Sequence, residues 1–312
     1  MDRRELGRTG IEISRIALGC GNFGGIGSAP AFFERGESED EAYAIMDAAW
    51  AMGITAFDTA DAYGGGRSET WVGRWRARTA NEPALTTKVF HSVVGDPSDR
   101  GLSRDRILRQ IDGSLQRLGV ERVDLYLIHE PDPDTPIAET VGALEEVKTA
   151  GKVRAIGASN VDVAWLEEAG GAVEWVQNSY SLLDRESEDV LAYCVAQGIP
   201  FSPFGPLAGG WLTGKYRRGE PPPAGSRMTM RPEGYRQFED DRVYDGLHRL
   251  AESAAERGVD MPTLAYAWLL GDPHITAVVT GPRRPEHLEP ARAALDVRLS
   301  AAERDELASF FP

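Results

Sequence analysis

The sequence predicts a single (β/α)8 barrel over residues 1–312, with a β-hairpin at the amino terminus and long loops at the active face. Two observations predict this fold. Short apolar segments alternate with amphipathic segments at roughly 25 to 40 residues per unit, the pattern of a parallel sheet with helical crossovers. Eight such units are present, and eight favour a closed barrel over an open sheet.

The predicted elements follow one another with little interruption. The hairpin pairs residues 3–6 with 11–13 around a turn at 7–10. Barrel strands are predicted at residues 16–19, 55–58, 84–88, 123–129, 153–159, 173–178, 199–204 and 275–280. Helices are predicted at residues 38–52, 68–78, 103–118, 136–149, 162–168, 186–197, 242–257 and 285–295, and many begin with Ser, Asp or Pro. Residues 214–240 are rich in Pro, Gly and Arg, which favours a functional lid or a disordered loop.

Length and charge limit the function classes. A chain of 312 residues with 42% hydrophobic content fits one barrel or two ordinary domains, and the lack of a linker-like boundary favours one. The net charge of −15 makes nucleic acid and acidic membrane surfaces poor partners, because long-range repulsion opposes them. No hydrophobic stripe indicates an interface, so the sequence leaves the oligomeric state open.

Cysteine content and hydropathy indicate the compartment. Cys20 and Cys194 are too few for a disulfide framework and lack metal-ligand spacing. The amino terminus leads into no apolar signal region, and no apolar run approaches the ~20 residues of a membrane span. We therefore expect a cytoplasmic protein.

Polar residues stand at the carboxyl ends of three neighbouring predicted strands. Asp58 ends the second strand, Lys88 the third and His129 the fourth, while Tyr63 lies in the loop after the second. In parallel barrels, reacting groups collect at this end. A buried lysine needs a partner, and Asp58 is the natural one. The pair alone would also fit a structural loop contact, but Tyr63 and His129 in register favour a catalytic role.

This set of residues predicts proton chemistry. A tyrosine hydroxyl has a pKa near ~10, and an adjacent ammonium lowers it by stabilising the phenolate. We therefore expect Tyr63 to give a proton to a carbonyl oxygen, or to take one from an alcohol, while His129 orients the carbonyl. No Ser or Cys stands in a nucleophile motif, and no His, Glu and Asp set has metal-ligand spacing, so no metal site is expected. An external hydride donor is the remaining requirement.

Residues 53–73, which contain Asp58 and Tyr63, resemble the signature of the aldo-keto reductase superfamily. Further matches extend over nearly the whole chain, at residues 4–7, 18–19, 125–129, 151–160, 177–183 and 206–216. The family's tetrad of Asp, Tyr, Lys and His falls on Asp58, Tyr63, Lys88 and His129. The resemblance implies a (β/α)8 barrel that binds an extended nicotinamide cofactor without a Rossmann domain. Consistent with this, the glycine cluster at residues 19–25 lacks the G-x-G-x-x-G spacing of that domain.

The resemblance also implies which residues contact the cofactor. Those at the nicotinamide end would be Gly21, Asn22, Phe23, Asp58, Ser159, Asn160, Gln177 and Phe204. Those around the pyrophosphate would be Gly205, Pro206, Leu207, Gly209 and Lys215. Two plainer interpretations stay open: Phe204 as ordinary barrel packing, and Lys215 as a solvated loop charge.

The adenosine end carries the main departure from the family. The resemblance places Gly281, Arg283, Arg284 and His287 here. Two adjacent guanidiniums near a predicted helix start suit the 2′-phosphate of NADPH, so we expect NADPH and leave NADH open. The family often has Gln or Arg at position 287 and Glu-Asn at 290 and 291, where this chain has His287, Pro290 and Ala291.

These observations predict an NADPH-dependent reductase of aldehydes or ketones, including sugar or aromatic carbonyls, with Tyr63 as general acid. The alternative is a nicotinamide-binding, redox-sensing subunit with little turnover, resembling the potassium-channel β subunits. Substrate contacts are expected from Phe23, Tyr63, His91 and His129. Further pocket candidates on active-face loops are Phe32, Phe33 and Trp211. The loops at residues 29–35, 91–100 and 214–240 are expected to set specificity.

Overall fold

The computed structural model describes residues 1–312 and places nine strands around one barrel. The strands are β1 Arg3–Glu5, β2 Glu12–Ser14, β3 Ile16–Gly19, β4 Ala56–Asp58, β5 Ala84–Val89, β6 Val123–Ile128, β7 Val153–Ser159, β8 Val176–Gln177 and β9 Val278–Thr280. Strands β1 and β2 pair as an antiparallel hairpin, with Arg4 opposite Ile13. The other seven form a parallel sheet in the order β8-β7-β6-β5-β4-β3-β9.

The eighth barrel position is filled by an irregular segment at residues 199–204. Phe201 bridges Val176 on one side and Ile275 on the other, and Phe204 bridges Ser179 and Val279. The sequence predicted a regular strand here. Prolines at positions 200 and 203 explain the difference, because proline has no N–H to donate to the ladder. Their carbonyls still accept from neighbouring strands, so the barrel closes and the (β/α)8 prediction is confirmed.

Eleven helices surround the barrel or cover its open end. They are α1 Glu39–Ala51, α2 Arg67–Thr79, α3 Arg104–Leu118, α4 Ile137–Thr149, α5 Val163–Glu168, α6 Glu188–Gln197, α7 Arg227–Met230, α8 Asp241–Glu256, α9 Met261–Leu270, α10 Glu289–Ala294 and α11 Ala301–Ala308. Helix α3 shows why they pack: Ile107, Ile111, Leu115 and Leu118 form one buried face. Residues 285–295, predicted as one helix, divide into a 3-10 turn at Pro285–Leu288 followed by α10.

Helices α9 and α11 were absent from the prediction. Residues 263–270 of α9 are all buried, so the helix lacks the alternation of apolar and polar faces that reveals an amphipathic helix. Its start is nevertheless well defined, since the Asp260 side chain accepts from the Thr263 N–H at 2.8 Å. Helix α11 begins with a capping box in which Ser300 and Glu303 bond to each other's backbone N–H groups.

The hairpin closes the amino-terminal end of the barrel. Leu6, Ile11 and Ile13 are buried against side chains inside the barrel, including Leu127 and Trp175. Contacts tie the hairpin to the beginnings of barrel strands: the Arg154 guanidinium donates to the Gly10 carbonyl at 3.0 Å, and Arg4 donates to the Ile275 carbonyl at 3.2 Å. A cavity inside the barrel therefore opens only at the carboxyl ends of the strands.

We expect Leu127→Ala to destabilise the protein strongly. Leu127 is fully buried inside the barrel, and such a truncation removes about 2 to 5 kcal/mol from the free energy of unfolding. Val94→Ala is the control, because Val94 is 79% exposed and should change stability little. Urea denaturation followed by circular dichroism measures both. Equal losses for the two variants would contradict this account of the barrel interior.

Candidate active site

Four side chains from three neighbouring strand ends meet at the open end of the barrel. Asp58 is the last residue of β4, Lys88 lies in β5, and His129 follows directly after β6. Tyr63 begins a 3-10 turn whose three glycines have φ values of 58°, 69° and 85°. Only glycine adopts this run of left-handed conformations readily, so the turn can bring Tyr63 back over the barrel.

An ion pair between Lys88 and Asp58 forms the centre of the site. Lys88 Nζ lies 2.5 Å from Asp58 Oδ1, and the two side chains are only 1% and 5% exposed. Lys88 also donates to the Thr59 carbonyl at 3.0 Å, and the Gln177 amide donates to Asp58 Oδ2 at 2.8 Å. Burial alone would lower the pKa of Lys88, but Asp58 and Tyr63 raise it above its usual value. Lys88 is therefore a fixed ammonium.

Tyr63 and His129 are in direct contact above this pair. The Tyr63 hydroxyl lies 3.3 Å from His129 Nε2, and Lys88 Nζ is 5.2 Å from the centroid of the Tyr63 ring. Burial and the Lys88 charge hold the pKa of His129 well below its usual value. The imidazole is thus neutral near pH 7 and offers one donor and one acceptor nitrogen.

The pKa of Tyr63 moves opposite to the sequence expectation. Burial raises the pKa above its usual value, although the nearby Lys88 acts to lower it. The sequence indicated the ammonium neighbour but not how far the phenol is removed from water. Tyr63 therefore stays protonated at neutral pH, the state in which a proton donor must begin.

A cavity of about 820 Å³ extends from these four side chains along the mouth of the barrel. Most of the predicted cofactor residues line it: Gly21, Asn22, Asp58, Ser159, Asn160, Gln177, Phe204, Gly205, Pro206, Leu207, Gly209, Lys215, Gly281, Arg283 and His287. Three predicted contacts lie elsewhere. Phe23 is fully buried, Arg284 is 71% exposed beside Glu286, and His91 lies behind His129 with ring centroids 4.9 Å apart. Trp211 is buried against Tyr216 and does not line the cavity.

The part of the cavity away from Tyr63 has an unusual backbone. Ala208, Gly209 and Gly210 have consecutive positive φ values of 47°, 64° and 94°. A Cβ on Gly210 would collide with the end of the Lys215 side chain, and one on Gly209 would collide with the Tyr235 ring. Positive-φ segments expose backbone N–H groups and form concave anion sites. Together with the Lys215 ammonium, this backbone fits a pyrophosphate.

Arginines from two other loops complete the cationic part of the cavity. Arg227, at the start of α7, donates to Asn22 Oδ1 at 2.6 Å, and Arg283 donates to the Gly225 carbonyl at 2.9 Å. Both line the cavity. Burial, with Arg227 and Arg283, lowers the pKa of Lys215. Cations this close to one another suit a doubly charged anionic group between them.

Arg227 was not predicted individually, although residues 214–240 were predicted to be a functional lid or a disordered loop and were expected to help set specificity. Other lining residues that were missed are Ile26, Asp184, Arg231, Tyr235 and Tyr266. The clustering of arginines in that segment was the available signal. The individual contacts depend on how the loop crosses the barrel, which no local pattern encodes.

Comparison with known proteins agrees with this geometry. The sequence model of the aldo/keto reductase family matches residues 15–311. The chain belongs to the aldo/keto reductase family. It is 34% identical to the uncharacterized oxidoreductase YrpG of Bacillus subtilis over 100% of this chain and 96% of that protein. It is 33% identical to the NADH-specific methylglyoxal reductase of Escherichia coli (97% and 96% covered) and to a probable voltage-gated potassium channel subunit beta of Oryza sativa (95% and 92%).

The end of the cavity that was predicted to hold the adenosine carries both positive and negative side chains. The Arg283 guanidinium lies 2.8 Å from Glu37, a carboxylate whose side chain is 4% exposed. The Arg283 N–H also approaches His287 Nδ1 at 3.2 Å. Arg284 precedes a 3-10 turn rather than the predicted α-helix. Two guanidiniums are thus present, and each has an acidic neighbour: Arg283 has the buried Glu37, and Arg284 has the exposed Glu286 at 3.7 Å. None of the protein's helices combines the length and the apolar character that crossing a bilayer requires.

We expect Lys88→Met to destabilise the protein by about 3 to 5 kcal/mol, because it leaves a buried carboxylate without a charged partner. Lys88→Met combined with Asp58→Asn should recover part of this loss. Lys148→Met is the surface control, since the Lys148–Glu174 pair is 38% and 28% exposed and such pairs contribute less than about 1 kcal/mol. Urea denaturation gives the free energies of unfolding. A double variant as unstable as the single one would contradict the ion-pair account.

Proposed function

We propose that this protein reduces an aldehyde or ketone to an alcohol with a reduced nicotinamide cofactor, NADPH in preference to NADH. The observation that carries the proposal is the contact of Tyr63 with His129 above the Lys88–Asp58 pair, at one end of a cavity whose other end is cationic. When bound, the cofactor supplies a hydride to the carbonyl carbon.

The protein's own residues handle the proton. The Tyr63 hydroxyl donates its proton to the carbonyl oxygen as the alcohol forms, which leaves a phenolate. The Lys88 ammonium stabilises that phenolate, and Asp58 keeps Lys88 charged and in place. His129 is neutral and orients the carbonyl by a hydrogen bond from Nε2 without competing as an acid. Each of these side chains is already positioned before the reaction begins, so proton transfer requires little movement of the surrounding groups.

The cofactor assignment rests on the charge at the far end of the cavity. Lys215, Arg227 and the positive-φ backbone at residues 208–210 fit the pyrophosphate, and Arg283 in the cavity lining, with the exposed Arg284 next to it, supplies charge for a 2′-phosphate. Two observations oppose NADPH: the ion pair of Arg283 with Glu37, and the NADH-specific relative from Escherichia coli. Arg284 contacts Glu286 only in an exposed pair, which contributes little and leaves its guanidinium available to a 2′-phosphate, and this favours NADPH.

A second candidate is a nicotinamide-binding subunit that senses redox state and turns over little. The relative from Oryza sativa named as a potassium channel subunit favours it. Cofactor oxidation with a panel of aromatic aldehydes, simple ketones, methylglyoxal and keto-sugars separates the two functions. Tight cofactor binding without turnover of any carbonyl would favour the sensor.

Tyr63→Phe should lower kcat by about 100-fold or more while leaving the change in cofactor fluorescence on binding intact, because the phenol acts in the transition state. Tyr43→Phe is the control, since the Tyr43 hydroxyl bonds to Glu39 on an outer helix. The measurements are steady-state kinetics and fluorescence titration. Retention of more than about a tenth of the wild-type rate would show that Tyr63 is not the acid.

Arg284→Ala should raise the Kd for NADPH about tenfold and leave the Kd for NADH nearly unchanged, because only NADPH carries the 2′-phosphate. Arg298→Ala, at another exposed arginine outside the cavity, is the matched control. Fluorescence titration with each cofactor measures the constants. Equal weakening for both cofactors would remove the phosphate-binding role of Arg284.

A further inference from the structure

Three arginines that form no ion pair, Arg35, Arg100 and Arg231, lie on loops at the open end of the barrel. The guanidinium carbons of Arg35 and Arg231 each lie 5.9 Å from the centroid of the Phe32 ring, and Arg231 lines the cavity. Arg100 is exposed on the loop after β5. No ion pair or hydrogen bond holds any of the three side chains.

Arg231 lies close to the reacting end of the cavity. Its Nη1 is 3.3 Å from the position a Cβ on Gly27 would take. The Gly27 N–H donates to the Gly21 carbonyl at 2.7 Å, and a Cβ on Gly21 would lie 3.5 Å from the Tyr63 ring. Arg231 is therefore separated from Tyr63 by only one layer of backbone.

The electrostatic surroundings of His91 agree with this position. The pKa of His91 is lowered to about 4, mainly by burial and further by the charges of Arg106, Arg231 and Arg100. His91 packs against His129, so these arginines act on the same side of the cavity as the reacting groups. Arg106 already bonds to the carbonyls of Gly101 and His91, which leaves Arg100 and Arg231 as the available cations.

Arg231 has no acidic partner at the cavity entrance, although the protein as a whole is acidic. The net charge is −15, and acids are also present near this entrance. Glu233 and Asp184 line the cavity, the Arg100 charge acts on Glu130 and Asp132, and Glu34 is bound by Arg67. None of these acids forms an ion pair with Arg231, and an unpaired cation in a concave entrance concentrates anions locally, even on an acidic protein.

We propose that the substrate is a carbonyl compound carrying a carboxylate or a phosphate, and that Arg231 binds this anionic group. The inference rests on the proposed carbonyl reduction and adds the class of substrate. A guanidinium fits either group because its parallel N–H donors match two oxygens of a carboxylate or phosphate. Arg35 and Arg100 supply additional positive charge around the entrance.

Matched substrate pairs test this proposal. para-Carboxybenzaldehyde is compared with its methyl ester, and glycolaldehyde phosphate with glycolaldehyde, so that only the anionic group differs within a pair. We expect kcat/KM to favour the anionic member of at least one pair by about tenfold or more, the effect of one charge-assisted hydrogen bond. This preference should decrease as ionic strength rises, because salt screens the exposed arginines. The pair that shows the preference identifies carboxylate or phosphate.

Arg231→Gln should abolish the preference by raising KM for the anionic member alone, with kcat nearly unchanged. Arg236→Gln, on the same loop but outside the cavity lining, is the matched control. Calorimetric titration with para-(hydroxymethyl)benzoate, the product of the first pair, provides a readout without turnover. Its binding should weaken about tenfold in the Arg231 variant if the carboxylate is the preferred group.

The outcomes distinguish this inference from the proposed function. Equal kcat/KM within both pairs, or an equal loss for charged and neutral substrates in Arg231→Gln, would overturn the anionic substrate while carbonyl reduction stands. Lack of cofactor oxidation with every carbonyl compound would overturn carbonyl reduction itself, and the substrate assignment with it. Anion preference that persists unchanged in Arg231→Gln would overturn the role of Arg231.

Discussion

The buried ion pair of Lys88 and Asp58 is the constraint on which the site depends. Removing two charges from water is unfavourable, and only close geometry with additional hydrogen bonds offsets it. The structure supplies both, through the 2.5 Å contact and the bonds to Thr59 and Gln177. Because β4 and β5 are adjacent, the pair also fixes where their two strand ends lie relative to each other. Because these contacts hold Lys88 in one position, its positive charge acts on Tyr63 from a fixed direction.

The barrel makes the site around this ion pair accessible from one end only. The hairpin fills the amino-terminal end with Leu6, Ile11 and Ile13, so the cavity opens only where Asp58 and Lys88 stand. Proline-containing residues 199–204 complete the wall with few ladder bonds, and the chain then leaves the barrel as the glycine-rich backbone at residues 205–210. The same strand closure that forms the core therefore also positions the cationic end of the cavity. The contacts between strands therefore both stabilise the barrel and fix the geometry of the site.

The tetrad could be predicted because each member interrupts or follows an apolar strand, where a polar residue has few structural explanations. The barrel could be predicted because β-segments recur with helices between them. Helix α9 could not, because all of its faces are buried and none is polar, and a regular strand was predicted where Pro200 and Pro203 prevent one. Arg227 and Arg231 were missed individually because their contacts cross from a long loop to distant residues such as Asn22. Local patterns encode elements, whereas these contacts depend on the closed fold.

Burial explains why the side chains at the centre of the cavity carry no net charge, whereas cationic side chains line other parts of it. It raises the pKa of Tyr63 and lowers those of His129 and His91, so all three groups are neutral at pH 7. Lys88 and Asp58 cancel each other. Cavity-lining cations without an ion pair therefore lie outside this group, at Lys215, Arg227 and Arg231, all within residues 214–240. This distribution of charge favours a neutral carbonyl group at the tetrad, with anionic groups of the cofactor and of the substrate bound by these cations.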